Sequence, residues 1–194
     1  LYNRTPHLLA GTTIGSAVNI IENGFQPSPG GMLGPGVYWS DNVAKTRPYV
    51  RDGGGTVLKL CIRNGRTKTI DRSNHPSQRT WHTEGYDSAW VPANTTPSPG
   101  WVQSGLSENC TYDPGRFVVT AVSADFGQTF LAVSEWKALP QVRKAIAHPH
   151  VGHRAYGPVG MPLPRVAAPA HQRRTWREYV HTACRVSAAC AAIS

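Results

Sequence analysis

The run GGGTVLKLCIRNGRTKTI at 53–70 constrains the fold more than any other stretch of the chain. Two strand-forming runs flank Asn64-Gly65, a dipeptide whose residues tolerate the positive φ that a tight turn needs. The spacing predicts a β-hairpin, and with it at least one antiparallel sheet. VYW (37–39), RFVVTAVSA (116–124) and TFLAVSEW (129–136) read as further short strands. SAVNIIENGF (16–25) instead places Ala17, Ile20, Ile21 and Phe25 at helical spacing, with Ser16 to cap the helix and Gly24 to stop it. Residues 71–107 show little periodicity and read as irregular. With 19 Gly and 16 Pro in 194 residues, turns are frequent and elements short. One early helix among short strands is the pattern of an α+β fold.

Charge divides the chain unevenly. Residues 1–136 hold 11 Lys/Arg against 10 Asp/Glu, whereas residues 137–194 hold 9 Lys/Arg against Glu178 alone. The expected organisation is therefore a domain over 1–136 and a basic, Pro-rich linker and C-terminal helix over 137–194. In that tail a short helix is expected at 141–147 and a basic one at 172–193. Arg173, Arg174, Arg177 and Arg185 fall on one side of the latter with Trp176 and Tyr179 interleaved, a footprint that suits either a phosphate backbone or docking on the domain.

No run of about 18 apolar residues exists, so no membrane span is expected. The first residues carry no secretory pattern, and an intracellular location is favoured over secretion, which three N-x-[ST] triplets leave open. Cys61, Cys110, Cys184 and Cys190 form no C-x-x-C pair and are expected to be free thiols. His148, His150 and His153 lack an acidic or thiol neighbour and read as loop, so no metal site is expected.

Three pieces stand out together: LLAGTT (8–13), GVYWSDNVAKTRPY (36–49) and GLSENCTYDPGRFVV (105–119). In this order they resemble the catalytic domain of the poly(ADP-ribose) polymerase class of ADP-ribosyltransferases. The likeness covers about residues 1–125 and extends through the TTxxxAxxIIxxGFxPSxGGMLGxGVYxS pattern at 12–40 and GYDSAWVP at 85–92. It is nearest to the small virus- or interferon-induced PARP-like proteins of fish. The resemblance implies an ADP-ribosyltransferase fold with split β-sheets, and NAD as the substrate.

Carried over by position, Tyr38 matches the tyrosine of the family's His-Tyr-Glu triad and Glu108 its catalytic glutamate. Tyr49 matches a second ring that would hold nicotinamide against Tyr38. Thr46 matches the hydroxyl that bonds the carboxamide, Lys45 the lysine beside it, and Gly11 the glycine whose backbone grips that group. Thr12 and Ser40 complete the two motifs. The chemistry suits these residue types. Stacked rings fix a flat nicotinamide, a strand end and a hydroxyl satisfy its amide, and a carboxylate stabilises an oxocarbenium-like ribose.

Ala10 is the departure, because the family keeps its triad histidine there, bonded to the adenosine ribose. Losing one such bond lowers affinity about tenfold or somewhat more. Three readings stand: an inactivating replacement, a divergent enzyme that still works, or a protein retired from catalysis.

The expected function is ADP-ribosyl transfer from NAD to a protein or nucleic-acid acceptor, with mono-transfer favoured. A silent PARP-like module that binds ADP-ribose, nucleic acid or a protein partner is the alternative, and NAD hydrolysis a third. Taken singly, Tyr38 would read as strand packing and Glu108 as a surface charge; their common spacing argues otherwise. His82 and Glu84 read as loop residues, Asp87 as a loop tie, and Trp90 as core filling.

Overall fold

A computed structural model describes residues 8–50, 55–93, 102, 104–125 and 127–148. The fold is mixed α+β, built on two four-stranded sheets. The first runs in the order β1 (Leu8–Thr13), β3 (Gly55–Ile62), β7 (Phe117–Ser123), β8 (Phe130–Leu131). The second runs β2 (Val37–Trp39), β6 (Glu108–Thr111), β5 (Ser88–Val91), β4 (Thr67–Thr69). All pairings are antiparallel except β4 with β5.

The expected hairpin at 53–70 does not form. Its two strands exist, but β3 pairs with β1 and β7, whereas β4 pairs in the other sheet. A two-residue type I′ turn needs positive φ at both central residues, and here only Gly65 has it, at 62°. Side chains of β5 and the residue before it claim the connection instead. Asp87 Oδ2 accepts the Arg66 N–H at 2.8 Å, and Ser88 Oγ donates to the Asn64 carbonyl at 2.8 Å. The dipeptide therefore turns the chain from one sheet to the other.

Helix α1 (Ile14–Asn23) starts earlier than expected, because Thr13, not Ser16, is its N-cap and accepts the Ser16 N–H. It ends where expected, at Gly24 with φ 84°. Half of the expected strand over 129–136 is helix, and only Phe130–Leu131 is strand. After β8 the chain enters α3 (Val133–Ala138), started by Glu135, whose carboxylate accepts the Ala132 N–H at 3.0 Å. A further helix, α4 (Pro140–Ala147), follows with Pro140 in its first turn.

Three apolar clusters hold these layers. Ala17, Ile21, Leu58, Leu60, Val122, Trp136 and Val142 join α1, α3 and α4 to one face of the first sheet. Val142 is fully buried there, so the core does not end at Trp136, and α4 belongs to it rather than to a separate tail. Leu9, Val50 and Val57 fill the opposite face. Leu33, Ile70, Trp81, Ala89, Val91 and Cys110 pack against the second sheet. The stretch 71–107, expected to be irregular, contributes β5 and a 3-10 turn at Trp81–Glu84 to that cluster. Trp90, expected in a core, lies on the outer face of β5, because Ala89 and Val91 take the inward positions; Trp81 fills the core instead.

Cys61 and Cys110 are free thiols. Among the described residues no helix is long and apolar enough to cross a membrane. The basic helix expected at 172–193, Cys184, Cys190, His150 and His153 lie outside the described residues.

Candidate functional site

A backbone bridge joins the two sheets. Leu9 and Ser40 exchange backbone hydrogen bonds of 2.8 and 3.0 Å, an isolated bridge between β1 and β2. The strands then part, with Gly11 on one side of the opening and Tyr38 on the other. Because Leu9 turns its N–H and C=O away from β3, the two-residue repeat turns those of Gly11 the same way, toward the opening. A donor and an acceptor stand side by side on one exposed strand edge.

The floor of the opening is α2 (Val43–Thr46) and the 3-10 turn Arg47–Tyr49 that continues it. Asn42 caps α2 by accepting the Ala44 N–H at 2.9 Å. The turn approaches β1 so closely that a Cβ on Gly11 would lie 2.5 Å from the Thr46 carbonyl oxygen and 2.8 Å from its Cβ. Gly11 is thus required by space rather than by backbone angle. Thr46 is buried, and its hydroxyl donates to the Val43 carbonyl at 2.7 Å, which leaves its oxygen free to accept.

Tyr38 shares a face with Glu108 and Cys110, since β2 and β6 pair Tyr38 with Cys110 and Glu108 lies two residues along. Its hydroxyl accepts the Leu33 N–H at 2.9 Å and donates to the Gly34 carbonyl at 2.8 Å. Burial, then the neighbouring Cys110, push its ionisation well above the usual phenol range. A hydroxyl bound in both directions leaves the ring face as what Tyr38 offers. Tyr49 stands at the rim, 58% exposed, with its ionisation also raised by burial and then by the Glu108 charge.

Glu108 opens β6 and receives the Lys45 ammonium at 2.8 Å, both side chains being largely buried. Lys45 also donates to Ser104 Oγ at 2.9 Å. Ser40 is buried, and its hydroxyl donates to the Ser107 carbonyl at 3.2 Å. It therefore fixes the residue preceding Glu108. Ser107 in turn bonds the Asp41 carboxylate.

These side chains converge. A small pocket of about 100 Å³ is lined by Ala10, Gly11, Tyr38, Ser40, Lys45, Thr46, Tyr49 and Glu108, with Leu9 and Trp39 behind them. It adjoins a wider cleft of about 1340 Å³ that takes in Thr12, the 26–36 loop and residues 73–80. Of the expected site residues only Thr12 lies in the cleft alone. Sequence reasoning missed Ser104 and the whole 73–80 wall. The glycine cluster GGMLGPG at 30–36 was the available signal, since the loop's bonds to Tyr38 and to that wall run through its backbone.

The residues set aside as structural stay out of the pocket. Glu84 accepts from Ser77 and Thr80, His82 stacks on Tyr112 with ring centres 4.6 Å apart, and Asp87 ties the Arg66 backbone to the Arg116 guanidinium. Among the described residues no group of three His, Cys, Asp or Glu could hold a metal ion. Compared with known proteins, the chain matches no family model and no curated sequence.

Proposed function

We propose that the chain is an NAD-dependent ADP-ribosyltransferase of the poly(ADP-ribose) polymerase class, with that class's split-sheet fold. The observation that carries the reading is the convergence of eight expected NAD-site positions, from β1, β2 and the residue after it, α2, its following turn and β6, on one small pocket. Its chemistry suits nicotinamide. A carboxamide has one acceptor and two donors. The Gly11 N–H would meet the acceptor, and the Gly11 carbonyl and Thr46 Oγ1 would receive the donors. Tyr38 and Tyr49 supply aromatic surfaces for the ring.

In the proposed reaction the bond between nicotinamide and the ribose C1′ breaks, and nicotinamide leaves with the electron pair. The Glu108 carboxylate stabilises the cationic ribose and takes the proton of an acceptor hydroxyl, amine or carboxylic acid as it attacks C1′. Lys45, 2.8 Å away, holds the Glu108 carboxylate in place. The acceptor is a protein or a nucleic acid.

A silent binding module is the second reading, and Ala10 is the observation that favours it, since no imidazole stands on β1 to meet the adenosine ribose. One experiment separates the readings. The protein is incubated with NAD labelled in the adenylate, with and without RNA, DNA or cell extract, and nicotinamide release is followed beside label transfer. Transfer that falls about a hundredfold or more in Glu108→Gln supports the transferase. Nicotinamide without labelled acceptor makes it a glycohydrolase. Binding of NAD or ADP-ribose without turnover makes it a silent module, and no binding overturns the NAD reading.

A further inference from the structure

The wider cleft has an unbalanced charge. Its ionisable lining consists of Lys45, Glu108, His75, Arg79 and the two tyrosines. Lys45 and Glu108 cancel at 2.8 Å. Arg79 makes no ion pair among the described residues and its side chain is exposed. His75 Nδ1 accepts the Ser77 N–H at 3.0 Å, so the neutral ring carries its proton on Nε2 and is a donor there. Residues 73–80 therefore bring a guanidinium and an imidazole donor to the cleft, while the Glu84 carboxylate that accepts from Ser77 and Thr80 is not among the cleft's lining residues.

This wall is fastened to the loop that fastens Tyr38. Gln78 Nε2 donates to the Met32 carbonyl at 2.9 Å, and Trp81 Nε1 to the Leu33 carbonyl at 2.6 Å. Gly34, at φ 84°, packs so closely that a Cβ there would sit 2.9 Å from the Arg79 carbonyl oxygen. Leu33 and Gly34 also hold the Tyr38 hydroxyl. Residues 32–34 thus form one frame that sets Arg79 in relation to the Tyr38 ring.

We infer that Arg79, with His75 beside it, seats the diphosphate of the dinucleotide, an assignment that rests on the NAD reading. A diphosphate between two ribosides carries two negative charges in water. A planar guanidinium meets such oxygens with two parallel hydrogen bonds. With nicotinamide in the small pocket, the rest of the molecule must run along the cleft, where Arg79 is the unpaired positive charge among the described residues. Arg79 is a positioning residue, acting on affinity rather than on bond cleavage.

The test uses the full chain and its Arg79→Gln, Arg79→Lys and His75→Gln variants, each checked for an unchanged thermal midpoint. NAD, ADP-ribose and nicotinamide are titrated separately by calorimetry. Arg79→Gln is expected to weaken NAD and ADP-ribose about ten- to a hundredfold and to leave nicotinamide unchanged. Arg79→Lys should recover part of the loss, and KM for NAD should rise with kcat held. ADP-ribose binding that Arg79→Gln does not alter overturns the seat, while retained nicotinamide binding leaves the NAD reading standing. ADP-ribose binding that depends on Arg79, without any nicotinamide release, keeps the seat and removes the transferase. A wild-type protein that binds neither NAD nor ADP-ribose overturns both.

Discussion

Lys45 Nζ lies 2.8 Å from Glu108 Oε2, and the pair is largely withdrawn from water at the junction of the two sheets. Neither residue could be buried there alone, because an uncompensated charge in such a place is costly. Lys45→Met leaves the carboxylate without its cation and is expected to lower stability by about 1–3 kcal/mol. Adding Glu108→Gln removes the stranded charge, so the double variant should regain much of the loss. Urea denaturation of the four proteins in a double-mutant cycle measures the coupling. Additive losses would show that the two side chains do not stabilise each other.

Gly11 carries the second prediction. Its backbone edge faces the pocket, and its missing side chain lets α2 come close. Gly11→Ala forces a methyl to within 2.5 Å of the Thr46 carbonyl oxygen unless the turn retreats. Overpacking of this kind costs about 1–3 kcal/mol. The expected result is a lower thermal midpoint together with weaker nicotinamide binding, since Thr46 and Tyr49 would move with the turn. An unchanged midpoint would mean that the turn adapts freely.

Much of the pocket was legible because its residues are close in sequence. Tyr38, Lys45, Thr46 and Tyr49 fall within 12 residues, where one strand and one helical turn determine their mutual placement. Glu108 is remote and was reached through its motif alone. The 73–80 wall was not legible, because Gln78 and Trp81 bond backbone carbonyls of Met32 and Leu33, and a carbonyl acceptor leaves no trace in residue identity. Asn64-Gly65 misled for a related reason. The turn signal is local, but Asp87 and Ser88, more than 20 residues away, decide which sheet receives the following strand. Trp90 shows the limit of composition: a large apolar side chain on a strand tells nothing of which face it takes until the register is known.

Cys110 makes stability depend on alkaline pH. Burial is the main reason its thiol is raised from 9.0 to about 12, and Tyr38 shifts in the same direction. Above pH 9 the unfolded chain releases the thiol proton while the folded chain keeps it. The unfolded state then binds fewer protons, so stability falls as pH rises, and the contribution present below pH 9 is lost toward pH 12. One proton corresponds to about 1.4 kcal/mol per pH unit, or about 2 kcal/mol between pH 9 and 10.5. Urea denaturation at pH 8 and pH 10.5 should show the wild type losing about that much more than Cys110→Ala. Equal losses would mean that the thiol ionises as readily when folded.

Ala10 carries the last prediction. It packs against the core of the first sheet but also lines both the small pocket and the wider cleft, so the cleft is the space that a larger side chain there has to enter. In the proposed binding mode that space borders the adenosine ribose, whose hydroxyls have no imidazole partner on β1. Ala10→His adds one neutral hydrogen bond, worth about 0.5–1.5 kcal/mol, or a roughly two- to tenfold gain in NAD affinity. Nicotinamide lacks the ribose, so its affinity should not change, which separates a new contact from a general tightening of the pocket. Calorimetric titration of both ligands into both proteins reads the difference. A gain for NAD alone fixes the direction in which the dinucleotide leaves the pocket. An equal affinity in both proteins would place the ribose away from β1 and require the dinucleotide to run along the cleft by another path.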